Sequence, residues 1–552
     1  MSKMESEEMI PTVKIGAREE NAGSKVNGKE KNSLDGATLL TCDDDRADYK
    51  HWSTRNNSIF KEKKDLEKNK KKKKVKYICK IVCGVILIVL SILGFIYPIR
   101  DFMIWDKLNM RPGFPNFDWW AEPPLTTKVK SYLFNVTNHE RFLLGLDDKI
   151  NVQEIGPIVY MEHVVFTNIR FTPNDTLTYR PQRELIFYPE LSEYGLNDTV
   201  ILPNSALLGL TSMLSGSENY FRRMGFKMLL KLYPNNFFVK RTIHQVLWDY
   251  RESLMEGTKN FAPGSVNSTN MGFLNKTYEL MQNQVTVKIG PRWGHENFFR
   301  IYDYEDLPQL TGYDMDTCLD NAINATEGIL FPHYLKKTDV PLFFSKSICR
   351  LMPLVFDEER KEGSLTLYRY NFSKTAFDNK VDVPEGCQND ELLLPSGIKD
   401  GSKCYTGFPM VLSLPHFNGA NITPDLYVTG LTPDSERHSL GYYDIEPLTG
   451  IPLHLRVRVQ CNLWVHDITD LYSWKFNKFA NLVLPLVWFE FSQEELPSYI
   501  TNFLYFVVIG LPIVSNLLAT VLLLGGCYLL LKQTDRKKIS IGTKQVFKSL
   551  RK

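Results

Sequence analysis

Hydrophobic and polar positions follow different rules in different stretches of the chain. Residues 81–99 read IVCGVILIVLSILGFIYPI without a charge, and residues 503–531 continue uncharged over 29 positions. At 1.5 Å per helical residue, either run crosses the roughly 30 Å of a bilayer's hydrocarbon, which predicts transmembrane helices over 77–99 and 500–531. Between them the pattern changes to short period-two segments. Leu453, Leu455, Val457, Val459, Cys461, Leu463 and Val465 alternate with other residues, as a half-buried strand does. Residues 285–289 and 364–372 carry similar strand signals, and frequent Pro and Gly favour a large antiparallel β structure. The helical exception covers about 211–251. There Phe221, Met224, Met228 and Leu232 share one helical stripe, while Arg223, Lys227 and Lys231 recur every four residues on another. The predicted fold is therefore α+β, one ectodomain over 100–499 flanked by two terminal spans.

Charge orients this arrangement. Lys61, Lys63, Lys64, Lys68, Lys70 to Lys74 and Lys76 precede the first span, and Lys532, Arg536, Lys537 and Lys538 follow the second. The positive-inside rule then puts both termini in the cytosol. The formal +3 of the whole chain divides into +6 for residues 1–80, +7 for residues 532–552 and −10 outside. The first span starts too late for a cleaved signal peptide and is expected to persist as a signal anchor. Residues 1–76, poor in aromatics, predict a disordered tail with a lysine run beside the membrane, and residues 532–552 a second basic tail. The lysine run suits anionic inner-leaflet lipid rather than nucleic acid. Within the first tail, Asp35 with Leu39 and Leu40 matches the acidic dileucine pattern that clathrin adaptors read as a sorting signal.

The exterior carries eight N-x-[ST] sequons, at Asn135, Asn174, Asn197, Asn267, Asn275, Asn324, Asn371 and Asn421, where chance would give about three. A glycosylated surface is predicted; Asn56, on the cytosolic side, should stay bare. Five of the nine cysteines lie outside: Cys318, Cys349, Cys387, Cys404 and Cys461. Cys461 falls on the inward face of the alternating strand, as a buried thiol, leaving four cysteines with three possible connectivities. No catalytic, metal or cofactor motif is present: neither G-x-S-x-G, H-E-x-x-H, a phosphate loop nor paired C-x-x-C occurs. His333 and His416 each follow a proline in apolar surroundings and read as structural histidines.

A series of longer motifs resembles a known family. RPGFPNFDWWAEPPLTTKVKSYLFNVTN at 111–138 and QEIGPIVYMEH at 153–163 are followed by RTIHQVLWDYRE at 241–252 and FFSKSICR at 343–350. LPHF at 414–417, DIEPLTGIPL at 444–453 and LPLVWFE at 484–490 complete the series, in the order and spacing of the class B scavenger receptors. The resemblance covers residues from about 75 to 535. It implies an irregular antiparallel β barrel topped by a helical bundle, with a lipid tunnel running from the apex toward the membrane. It also implies the disulfides Cys318–Cys387 and Cys349–Cys404, and it puts Arg222, Arg223, Lys227, Lys231 and Lys240 at an apical ligand port.

The function so implied is a receptor, not an enzyme, at the plasma membrane or in endosomes and lysosomes, with no cofactor. It would capture fatty acids, sterols, carotenoids or lipoproteins and pass lipid downhill to the bilayer. Two alternatives stand beside it. One is a trafficking receptor carrying a luminal protein to lysosomes, with His244 as an acid sensor; the other is a two-span ion channel subunit.

Overall fold

The computed structural model describes residues 46–549 apart from 98, 107–109, 216–219, 234–235, 262–263, 265, 267, 305–323, 346, 349, 375, 378–393, 403–404, 406, 423–427 and 469–473. Asp35, Leu39 and Leu40, the cysteines expected to pair (Cys318, Cys349, Cys387 and Cys404) and Asn267 lie outside the described residues. Contacts divide the chain into residues 1–80 and 81–552.

Helix α1 (Arg46–Ile96) begins well before the apolar run, so the lysine block is helical where its composition alone predicted a disordered tail. That prediction weighed buried apolar surface. Lys and Glu are themselves good helix formers, and a helix in membrane provides a template to extend. The short α2 (Ile99–Asp106) and α3 (Pro115–Ala121) follow, then α4 (His139–Leu144) between the first two strands. At the other end α11 (Ser498–Tyr505), a π turn over Phe506–Gly510 and α12 (Leu511–Ser549) form one continuous rod that carries the second basic segment as helix. Two stretches, Lys61–Ile96 and Ser498–Asp535, are long and apolar enough to cross a membrane. They touch through small residues. A Cβ added to Gly526 would lie 2.8 Å from the Gly84 carbonyl, and one added to Gly84 would lie 3.1 Å from Leu530.

The strands are β1 (Lys128–Val136), β2 (Val152–Phe171), β3 (Thr176–Phe187), β4 (Thr199–Pro203), β5 (Phe238–Thr242), β6 (Val285–Lys288), β7 (Ile301–Tyr304) and β8 (Leu342–Ser345). They continue with β9 (Arg350–Glu362), β10 (Leu365–Phe372), β11 (Ile398–Asp400), β12 (Met410–Ser413), β13 (Gly441–Glu446), β14 (Ile451–Trp464) and β15 (Val483–Gln493). The three expected strands are thus present as β6, β10 and β14. One antiparallel sheet runs β7-β6-β3-β2-β1-β15-β14-β13-β10-β9-β8, with β12 and then β11 branching from β14. Its two ends meet. Ile301 N–H donates to the Ala325 carbonyl, Thr326 N–H to Leu342, and Phe344 N–H to Thr326, each at 2.8 Å, so residues 325–326 close the barrel between β7 and β8.

Helices α5 (Ser205–Ser215), α6 (Tyr220–Leu232), α7 (Ile243–Trp248), α8 (Ser253–Phe261) and α9 (Phe273–Leu280) form the cap; the remaining α10 (Trp474–Asn477) is a single turn. The expected continuous helical stretch over 211–251 is in fact interrupted by β5, which hydrogen-bonds to β4 as a separate two-stranded sheet. Thr242 ends that strand and starts α7 by a capping box with Gln245, so the switch is written locally.

Strand β14 measures the distance from cap to membrane. Its Leu453 packs with Leu504 at the start of the second span, while its Trp464 carbonyl faces the Ser212 hydroxyl of α5 at 3.4 Å. The eleven steps from Leu453 to Trp464 put the cap roughly 36 Å from the membrane end. Two apolar clusters fill the space between. The larger joins the cap to β1, β14 and β15 around Trp488 and Tyr160. The smaller gathers Trp120, Phe166, Tyr179, Phe299 and Phe344 beside the segment that follows the first span. There Trp120 stacks on Phe166 at 4.6 Å.

Candidate functional site

Helix α6 gathers four of the five cations expected at the port, Arg222, Arg223, Lys227 and Lys231; Lys240 is exposed on the adjoining β5. The apolar stripe of α6 is exposed: Phe221 81%, Leu232 77%, Met228 62% and Met224 43%. The helix is instead anchored by Phe226 and Leu230, which are buried. Arg223 and Lys227 are partly buried, whereas Arg222 and Lys231 face solvent. Gly225 explains the close seat on α8, because any Cβ there would overlap the Phe261 ring. Outward, α6 presents four large apolar side chains bordered by cations, a pattern suited to an amphiphilic surface rather than to water alone.

A pocket of about 730 Å³, its open mouth included, lies beneath the cap. Its apolar wall is built by Leu210, Met213, Met255, Met271, Phe408 and Met410, with Lys276, Thr277 and Tyr405 as polar lining. Four methionines make this wall adaptable, since an unbranched thioether fills irregular space at little cost. Cys461 closes the wall from β14, between Leu412 and Val487. It is an unpaired, buried thiol, as its alternation predicted, and burial pushes it up to about 12, which keeps it protonated. The four methionines had no sequence signal, because they come from α5, α8, β12 and the loop before α9.

Glu154, His416 and His438 are the one group with metal-ligand spacing among the described residues. Their hydrogen bonds exclude that use. Thr432 N–H donates to His416 Nδ1 at 3.0 Å, and Asp434 N–H to His438 Nδ1 at 2.9 Å. With Nδ1 accepting, each ring carries a proton on Nε2, the atom a metal would need. Glu154 is already the acceptor for His416, Trp488 Nε1 at 2.8 Å and Arg437. Although burial raises its pKa, those donors hold the carboxyl down at about 2. His416 is thus structural, as read from the sequence. His333 stacks on Phe298 at 4.0 Å, and burial lowers it to about 3.

Of the sequons, Asn174, Asn197, Asn324 and Asn421 are exposed, while Asn135, Asn275 and Asn371 are half-buried. His244 is exposed on α7.

Residues 79–533 match the model of the CD36 family. The chain is 29% identical over 457 residues to scavenger receptor class B member 1 of Bos taurus, covering 82% of this chain and 86% of the relative. Its Mus musculus counterpart is 31% identical over 434 residues, 77% and 82% of the two chains. Lysosome membrane protein 2 of Homo sapiens is 28% identical over 379 residues, 67% and 76%.

Proposed function

The chain belongs to the CD36 family, and from that premise we propose that it is a membrane receptor that captures lipid-bearing particles on α6 and passes their lipid through the ectodomain to the bilayer. The observation that carries this reading is the exposed stripe of Phe221, Met224, Met228 and Leu232. Exposed apolar side chains on an already anchored helix are available to a phospholipid monolayer, and each is worth roughly 1.5 to 3 kcal/mol when fully withdrawn from water. Arg222 and Lys231 beside the stripe add attraction for anionic head groups, screened by salt. The methionine-lined pocket beneath offers the next apolar environment, and β14 runs from there to the second span. Lipid moving along such a route would avoid water, and the transfer would be downhill. The family assignment removes support from the channel alternative.

The test is binding of phospholipid vesicles containing anionic lipid to full-length protein on cells. Replacing Phe221, Met224, Met228 and Leu232 by Ser should reduce binding at every salt concentration. Replacing Arg223, Lys227 and Lys231 by Glu should reduce it chiefly at low salt. Unchanged binding in both variants, at normal surface expression, would move the capture surface elsewhere.

A further inference from the structure

Strands β2 and β3 and helices α7 and α9 bound a second cleft of about 1170 Å³, open to solvent. Phe187 of β3, Leu196 and Trp248 form its apolar wall over Tyr160, whose hydroxyl accepts from Trp248 Nε1 at 3.1 Å. Helix α9 supplies Asn275 and Glu279, four residues apart and so on one helical face. Gly272 seats that helix on α7, because a Cβ there would lie 2.5 Å from the Trp248 carbonyl. Arg183 also lines the cleft, but its charge is neutralised from behind. Its Nη1 donates to Glu162 Oε1 at 2.9 Å, and Glu327, which accepts from Tyr179 at 2.9 Å, lies within its electrostatic reach. Glu184, His244 and Glu279 stand exposed at the rim, Glu279 paired with Lys276 at 2.9 Å.

Asn275 opens the sequon Asn275-Lys276-Thr277, and it differs from the other half-buried acceptors. Asn135 Oδ1 accepts from Ile201 N–H at 2.8 Å, and Asn371 Nδ2 donates to Asp357 at 2.9 Å. The Asn275 side chain makes no hydrogen bond among the described residues, so its amide nitrogen can carry a sugar without losing a partner. Thr277 is only 6% exposed, which requires attachment before folding. In that step the nitrogen displaces the diphosphate of a lipid-linked oligosaccharide from C1 of its first sugar; the nitrogen loses one proton and the lipid diphosphate departs. After folding, the sugar starts inside a cleft rather than on an open surface. N-acetylglucosamine has an apolar C–H face that lies flat on an aromatic ring, and hydroxyls that donate to carboxylates. Trp248 and Phe187 offer the first contact, and Glu184 and Glu279 the second.

We propose that the glycan on Asn275 folds back into this cleft, its first N-acetylglucosamine against Trp248 and Phe187 and its hydroxyls on Glu184 and Glu279. The sugar then acts as a covalent wedge between α9 of the cap and β3 of the barrel, and the cleft serves the chain's own glycan rather than cargo. This goes beyond the receptor reading and does not depend on it; it requires only that residues 100–499 face the lumen during synthesis.

The test is site-by-site glycan release from full-length protein in mild detergent. An amidase that cleaves the sugar–asparagine bond is used, and mass spectrometry reads the conversion of Asn to Asp. Release at Asn275 should be about tenfold slower than at the exposed Asn174 and Asn324, the scale of one aromatic stack with one hydrogen bond. After denaturation the three sites should be released alike. Trp248→Leu removes the flat wall and should speed release at Asn275 severalfold in the native protein. Glu184→Lys, at an exposed position, should do the same from the rim if the first variant fails to reach the surface. Native release at Asn275 as fast as at the exposed sites overturns the proposal, as does an Asn275 that carries no sugar in the denatured chain. Slow release unmoved in both variants also overturns it, since α9 alone would then be the shield.

Discussion

The Ser91 hydroxyl in the first span donates to the Ala519 carbonyl in the second at 2.7 Å, joining residues 428 positions apart. In hydrocarbon such a bond has no competing water, and it lies in the seam where Gly84 meets Gly526. A Cβ on Gly94 would stand 3.6 Å from that of Ala519, within the separation a disulfide requires. Gly94→Cys with Ala519→Cys should therefore cross-link the spans on mild oxidation. A protease site inserted at the exposed Gly264 would reveal it, as two fragments joined until reduced. Adding Gly526→Leu, whose Cβ would meet Ile88 at 2.7 Å, should at least halve the cross-linked yield. Efficient cross-linking in that background would mean the glycine contact does not hold the pair.

Acid should weaken the ectodomain from within. Burial lowers His438 to about 4 and His333 to about 3, so the fold holds both neutral. Their contribution is complete above the ordinary value near 6.5 and is lost as pH falls through the folded values. For His438 this amounts to about 2 to 3 kcal/mol. His454 has the opposite sign: its hydrogen bond to Asp444 raises it, so its contribution is present below 6.5 and lost as pH rises through the raised value. Glu154, held at about 2, matters only below about 4.5. The Tm of the detergent-solubilised chain should fall between pH 6.5 and 4. His438→Asn keeps an acceptor for Asp434 N–H; it should lower Tm at neutral pH yet flatten the slope, and an unchanged slope would remove His438 from the account.

Cys461 should be inert in the folded protein. Its thiol is 4% exposed and strongly protonated, and it is the nucleophile that maleimide would need in ionised form. Maleimide added outside intact cells at pH 7.5 should leave Cys461 unmodified for hours, with labelling complete once the chain is denatured under non-reducing conditions. Rapid labelling of the native chain would mean that the wall beneath the cap opens readily.

Much of this molecule could be read from periodicity, because periodicity reports which residues share a face. The spans, the strand carrying Cys461 and the cationic row on α6 all emerged in that way. What periodicity leaves open is which of two faces a neighbour covers. On α6 the apolar stripe led by Phe221 points outward, because Phe226 and Leu230 form a third stripe that packs, and Gly225 lets Phe261 approach. The rule that strands put polar residues outside fails differently at Arg183. It sits on the inward face of β3, and only the pairing with β2 brings Glu162 close enough to neutralise it. Glu327 was illegible for a related reason. It follows the two residues that complete the barrel, an isolated contact with no strand signal of its own.

The small closure at Ala325 and Thr326 also bears on association between copies of the chain. A strand with unpaired N–H and C=O groups is a template on which another chain can add. Here β7 and β8 both direct such groups at residues 325–326, leaving the three-residue β11 at the end of the side branch from the main sheet. So short a rim is a poor template for a ladder. The largest sheet is thereby guarded against edge-to-edge association by two residues that belong to neither β7 nor β8.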